Sequence, residues 1–320
     1  MSRSRAPLVV AAAALVLSLP AAAAQGRPSA AELVGTRLVV AMRGTAPSAD
    51  LLARVRRGEV AGVILFRGNV VGPGQVRALT DRLRAAARAG GVPPPLVAVD
   101  QEGGLVRRLP WAPPAPSAAE LGALGATAVR RVGARTGRAL RAVGIDVDLA
   151  PVADVPAVRG SFLAAQRAFS TDPERAAVLV AAFAAGLKDA GVLATAKHFP
   201  GLGRATRSTD RYRVAIPARA ARLAPGLVPF RRLVDDGVPL VMLSNAAYAV
   251  YGGEPAVWSP RIGSDLLRGQ LGFAGVTITD ALEATATTWH TTVSEAALRA
   301  AAAGVDLVLV TGSELSSGEV

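Results

Sequence analysis

No cysteine occurs in the 320 residues. Disulfides, thiol catalysis and thiolate-bound metals are therefore excluded. Histidine and lysine are almost as scarce. His198 and His290 are the two histidines, and Lys188 and Lys197 are the two lysines. Two histidines so far apart argue against a zinc site built on imidazoles. Aromatic residues make up 4% of the chain, and no basic stretch is interleaved with them. The net charge of +12 therefore does not read as a nucleic-acid surface. It comes from arginine in a chain also rich in Ala, Gly, Val and Pro, which points to a general compositional bias, and it is compatible with an anionic polymer such as a cell wall.

What is present is core material. The chain is 51% hydrophobic and 19% charged, a globular composition with room for one large α/β domain or two small ones. The first 25 residues have the layout of a secretory signal peptide. Arg3 and Arg5 form a basic start, an apolar run covers 8–19, and small residues at 21–24 offer a cleavage site. The apolar run is shorter than the ~20 residues a membrane span needs. Residues 26–320 are thus expected as a mature, exported domain with no membrane attachment after cleavage.

Eight short apolar stretches read as strands, at 36–43, 62–66, 96–100, 145–149, 193–196, 240–243, 275–279 and 306–310. Helical patterns lie between them, at 48–57, 75–89, 117–143 with a break at Gly125, 173–190, 224–236, 259–271 and 293–303. Ser259 and Pro260 suit the cap and first turn of the segment at 259–271. Strands alternating with helices imply a parallel sheet, and eight of them a (β/α)8 TIM-type barrel in a single domain. An open doubly wound sheet is the competing fold, but the turn after the first strand, Gly44-Thr45-Ala46-Pro47, lacks the glycine fingerprint of a dinucleotide site. Ten residues follow the last strand, too few for a full closing helix. Either the reading frame is truncated or the ring stays open between its first and eighth strands.

The stretch 193–210, LATAKHFPGLGRATRSTD, organises the rest. An apolar strand delivers Lys197 and His198, then Pro200, Gly201 and Gly203 force a loop. In a chain so biased to arginine, a lysine here suggests that a compact ammonium is wanted. Catalytic groups of such barrels sit at the carboxyl ends of strands. Those ends carry Asp100, Asp148 and Asp154, Lys197 and His198, Ser244 and Asn245, and Asp280. Carboxylates accept from hydroxyl groups while Lys, Arg and His donate to them, so a neutral, hydroxyl-rich ligand such as a sugar fits better than a phosphate. Acids at a barrel mouth also suit Mg²⁺, the weaker reading. No metal and no cofactor is expected.

Six stretches then resemble the family 3 glycoside hydrolases, in their β-N-acetylglucosaminidase branch: GVILFRGN at 62–69, LVAVDQEGGLVRRL at 96–109, GIDVDLAPVADV at 144–155, RAFSTDP at 167–173, KHFPGLG at 197–203 and GFAGVTITDALEA at 272–284. They run in the family's order over nearly the whole mature chain. The resemblance implies a retaining glycosidase with Asp280 as nucleophile, and with Asp100, Arg108, Arg167, Lys197 and His198 binding N-acetylglucosamine. Retention needs one carboxylate to attack the anomeric carbon and an acid to protonate the leaving oxygen. Here the chain departs from the family. The loop after KHFPG normally reads H-G-D-x-x-x-D-S-H, and its last Asp and His fall at Ser208 and Asp210. Leu202 and Arg204 replace the polar pair at its start, and Asn245 stands where many relatives have His. Asp210 is then the candidate acid/base. The alternatives are a catalytically impaired protein that binds wall sugar, or a β-glucosidase-like specificity. The substrate expected for the active reading is a glycan derived from peptidoglycan or chitin.

Overall fold

The computed structural model describes residues 29–312; the proposed signal segment and residues 313–320 lie outside them. After a short helix, Ala30–Gly35, eight parallel strands form one ring: β1 (Leu38–Ala41), β2 (Gly62–Leu65), β3 (Leu96–Val99), β4 (Val147–Asp148), β5 (Leu193–Phe199), β6 (Leu240–Leu243), β7 (Val276–Thr279) and β8 (Val308–Val310). Each strand neighbours the next in sequence, and β8 pairs with β1 in register Leu38↔Val308, Val39↔Leu309, Val40↔Val310.

The alternative of a ring left open between its first and eighth strands does not hold, because those two strands pair. The remaining gap, between β7 and β8, closes through a parallel bridge between Ile278 and Leu307. Thr279 N–H donates to Leu307 O at 3.0 Å and Leu307 N–H to Thr277 O at 2.9 Å. Side chains reinforce the joint: Leu309 N–H donates to Thr279 Oγ1, and Asp306 Oδ2 accepts from Thr277 N–H and Arg268 Nη2. Closure removes the unpaired edge that an open sheet would present.

The helices start where the sequence supplies caps. α1 (Ala49–Arg56) begins with Ser48 Oγ accepting from Leu51 N–H, and α2 (Pro73–Gly90) with Pro73 in its first turn. Gly125 caps α3 (Ala126–Ala142) where the break was expected, and Asp172 caps α4 (Pro173–Asp189). α5 (Ala220–Asp235) follows the loop after β5. α6 (Arg261–Gln270) is a wide, π-type helix. Ser259 does not cap it as expected, because Pro260 holds the cap position and Ser259 Oγ meets no partner. α7 (Leu282–Thr288), a helix the periodicity did not reveal, precedes α8 (Val293–Ala302). α3 and α4 cross so closely that a Cβ on Gly133 would lie 2.4 Å from Phe183 O, which leaves room for glycine alone.

Two hydrophobic layers result. One lies between strands and helices. The other fills the ring with inward residues including Val39, Ile64, Ala98, Met242, Ile278 and Leu309. The inner layer is the floor on which the polar groups at the strand ends stand.

Candidate active site

Alternation along the strands carries the core pattern into the chemistry. Ala98 faces the interior of the ring, so Asp100 and Glu102, two and four residues on, point to the same side. Ile278 is likewise internal, and Asp280 stands above it. β5 is longer than expected. It runs to Phe199, so Lys197 and His198 lie within the strand, and their peptide bond is cis.

Lys197 is 2% exposed and bridges two acids, its Nζ lying 2.7 Å from Asp100 Oδ1 and 2.7 Å from Glu102 Oε1. Arg167 grips the same Glu102 through two parallel bonds, Nε to Oε2 at 2.9 Å and Nη2 to Oε1 at 2.8 Å. Arg108 Nη2 lies 3.5 Å from Asp100 Oδ2, and its guanidinium sits over the Phe66 ring. Burial pushes the Glu102 carboxyl up, but Lys197 and Arg167 outweigh it and hold the group ionised, well below the usual glutamate range. Burial likewise lowers Lys197, and Asp100 and Glu102 reverse it, so the ammonium stays charged in the interior. The acids of this corner are thus matched by cations.

His198 Nδ1 lies 2.7 Å from Asp154 Oδ2. Facing an acceptor, this nitrogen carries a ring hydrogen, and Nε2 lies 3.4 Å from Arg167 Nη2. Asp154 also accepts from the backbone N–H groups of His198 and Leu202. One carboxylate therefore orients the imidazole and anchors the following loop. Gly203 completes that anchor, since a Cβ there would lie 1.6 Å from Val155 O.

Across the mouth, Asp280 N–H donates to Leu243 O, and Asp280 Oδ1 accepts from Ala281 N–H at 2.8 Å. Burial raises its carboxyl; His198 and Lys197 oppose that rise, and Asp210 adds to it. Asn245, the residue in place of the family's histidine, is buried. It ties β6 to the segment after Asp280 by donating to Ala281 O and accepting from Thr285 Oγ1 at 2.6 Å.

All seven residues singled out from the sequence line one cavity of about 470 Å³: Asp100, Arg108, Arg167, Lys197, His198, Asp210 and Asp280. Asp210 differs from the others in being exposed, with Ser208 Oγ donating to its Oδ2 at 3.1 Å. Glu102 and Glu283 line the cavity too, and sequence reasoning did not pick them. The alternation that carries Asp100 inward would have found Glu102. Glu283 had no such signal, for its partners, Thr311 Oγ1 and Gly312 N–H, arrive from the loop after β8. Among the described residues no group of three or more His, Asp or Glu side chains is arranged to hold a metal ion.

Beneath the cavity, Asp148 is fully buried. Its Oδ1 accepts from Gln101 N–H at 2.9 Å, and its Oδ2 has no partner. Burial pushes this carboxyl well above its usual range, which favours its neutral form. A raised folded-state pKa favours folding at low pH, and that advantage is lost as pH rises toward the raised value. Asp148→Asn should therefore show a flatter fall in urea midpoint than wild type as pH rises above the ordinary aspartate range. Parallel curves for the two proteins would mean that Asp148 is ionised.

Residues 31–317 match the sequence profile described as the Glycosyl hydrolase family 3 N terminal domain. The chain is 36% identical over 287 residues to a β-hexosaminidase of Stenotrophomonas maltophilia (strain K279a), covering 87% of this chain and 84% of that protein. It superposes with a TM-score of 0.85 on a glycoside hydrolase family 3 β-N-acetylglucosaminidase from Paenibacillus sp. str. FPU-7, at 33% identity over 89% of this chain and 55% of that one. A β-N-acetylhexosaminidase from Beutenbergia cavernae DSM 12333 matches with a TM-score of 0.81 and 35% identity, over 89% of this chain and 87% of that one.

Proposed function

Because this chain belongs to glycosyl hydrolase family 3, as a glycosidase acting on O-glycosyl bonds, we propose that it releases terminal β-linked N-acetylglucosamine with retention of configuration. The observation that carries this reading is the meeting of Asp280 with Lys197 and His198 in one cavity of about 470 Å³, suited to a pyranose ring. Asp100 accepts from sugar hydroxyls, while Arg108, Arg167, Lys197 and His198 donate to hydroxyl and amide oxygens. A carboxylate oxygen of Asp280 attacks the anomeric carbon as the glycosidic bond breaks, and Asp210 delivers its proton to the departing oxygen. Asp210 then takes a proton from water, which attacks the same carbon and frees Asp280. Lys197 and His198 favour the charged form of Asp280 that the first step requires.

Incubation with a fluorinated N-acetylglucosaminide that traps the intermediate should leave a sugar ester on Asp280, read by peptide mass spectrometry. An unlabelled Asp280 alongside turnover of the probe would end the assignment. For Asp210, replacement by Ala should slow hydrolysis of a natural disaccharide by roughly 10²–10⁴-fold. It should slow an aryl glycoside with a good leaving group far less, since that departs without a proton. An unchanged disaccharide rate would remove Asp210 from the chemistry.

The exposure of Asp210 favours a second reading, in which the chain binds sugar and cleaves it poorly. Calorimetric binding of N-acetylglucosamine without turnover over hours would support it. Rates on aryl glucoside and aryl N-acetylglucosaminide, measured side by side, separate hexosaminidase from β-glucosidase-like specificity. We place the reaction outside the cell, on glycans derived from peptidoglycan or chitin. The signal-like first 25 residues and the charge of +12 support that placement. Expression of the full-length chain followed by assay of medium and cell fractions tests it.

A further inference from the structure

The loop between β5 and α5 is held at both ends. At its start, Leu202 N–H donates to Asp154 Oδ1 at 2.6 Å, Ala157 N–H to Gly203 O at 2.8 Å and Ala205 N–H to Leu202 O at 2.8 Å. At its far end, Ala247 N–H donates to Val214 O at 2.9 Å, and Ala215–Ile216 pairs with Ala247–Tyr248 beyond β6. Asp210 lies between these anchors, on a turn in which Ser208 O accepts from Tyr212 N–H.

One side chain ties this span to the opposite wall. The Arg213 guanidinium lies 3.8 Å over the Trp289 ring. Trp289 meets Trp258 edge-on at 5.9 Å, and Arg299 of α8 lies 4.8 Å over Trp258. Trp258 is buried and fixed by its indole N–H donating to Ala296 O at 3.1 Å. The Trp289 indole N–H meets no acceptor among the described residues, so its ring is held by packing and by these stacks. Trp289 directly follows α7, the helix that begins two residues after Asp280. The four-membered stack therefore joins the segment bearing Asp210 to the end of the helix that follows Asp280.

We infer that Arg213 and Trp289 are positioning residues, whose stack sets the distance between Asp210 and Asp280. The inference rests on the reading of Asp210 as the acid/base. Retention needs the two carboxyl groups about 5–5.5 Å apart, and an exposed acid on a loop depends on such a tie to stay in reach. A guanidinium over an indole is a directional contact that a lysine partly reproduces and an alanine abolishes.

The test compares Trp289→Ala, Trp289→Phe, Arg213→Ala, Arg213→Lys and Asp210→Ala on an N-acetylglucosamine disaccharide and on an activated aryl N-acetylglucosaminide. Trp289→Ala and Arg213→Ala should each lower kcat on the disaccharide about tenfold with KM little changed. The aryl substrate should lose much less. Trp289→Phe and Arg213→Lys should recover most of the rate, and they keep the test available if an alanine variant does not fold. In the Asp210→Ala background, Trp289→Ala should add no further loss. Equal losses on both substrates, a Phe variant as slow as the Ala variant, or additive losses in the double variant would overturn the inference. An unchanged disaccharide rate in Asp210→Ala would overturn the acid/base reading and this role with it. A lowered rate there beside an unchanged rate in Trp289→Ala would overturn the stack alone.

Discussion

Asp280→Asn is expected to cut turnover of an aryl β-N-acetylglucosaminide by more than roughly 10⁴-fold, while the protein still binds N-acetylglucosamine. The substitution keeps the shape of the side chain and the bond from Ala281 N–H to its Oδ1. What it removes is the negative charge and the nucleophilic oxygen. Asp100, Lys197 and Arg167, on the far side of the cavity, stay in place to hold the sugar. The loss should therefore fall on kcat, with a smaller change in KM. The same residue sets the acid side of the pH profile. Burial raises its carboxyl above the ordinary aspartate range, although His198 and Lys197 counter it. kcat/KM should therefore fall with acid at a higher pH than a free aspartate would dictate. Hydrolysis near the wild-type rate in the Asn variant would show that the bond is broken by another group.

Glu102→Ala should have the largest effect on stability. It removes the carboxylate shared by Lys197 and Arg167, and leaves two neighbouring cations with Asp100 as the acid that remains on Lys197. Breaking a buried, hydrogen-bonded ion pair by removing one partner costs about 3–5 kcal/mol, most of it from the stranded charge. Urea denaturation at pH 7 should report a loss of that order. Glu102→Gln, which keeps an acceptor, should fold better yet bind sugar more weakly, because Lys197 and Arg167 are less firmly held. The pH dependence carries its own sign. A glutamate held below its usual range stabilises the fold above that range, and the contribution is lost as pH falls through it. Wild type should lose stability on acidification that the Gln variant does not. A Gln variant with wild-type KM would show that Glu102 does not orient the binding cations.

Much of the fold was legible because its causes are local. Ser48, Gly125 and Pro173 mark helix starts through hydrogen bonds or fixed dihedrals within three or four residues. The apolar strands announced themselves by composition. Ser259 misled for the opposite reason: its hydroxyl was free to cap, but Pro260 took the cap position in a π-type helix. α7 was missed because its seven residues, LEATATT, are too few and too rich in threonine to show a clear period.

By itself, the sequence determined the eight strands, several helix starts and the order of the family's motifs, since each follows from patterns a few residues long, while Arg108, Arg167 and Asp210 were named through the family resemblance. Ring closure decided the rest. Arg167 reaches Glu102 across 65 positions and Lys197 reaches Asp100 across 97, while Ile278 meets Leu307 to seal the seam. No local period encodes which carboxylate a buried cation will meet. That choice is made when desolvation leaves each buried charge no stable place except beside an opposite one.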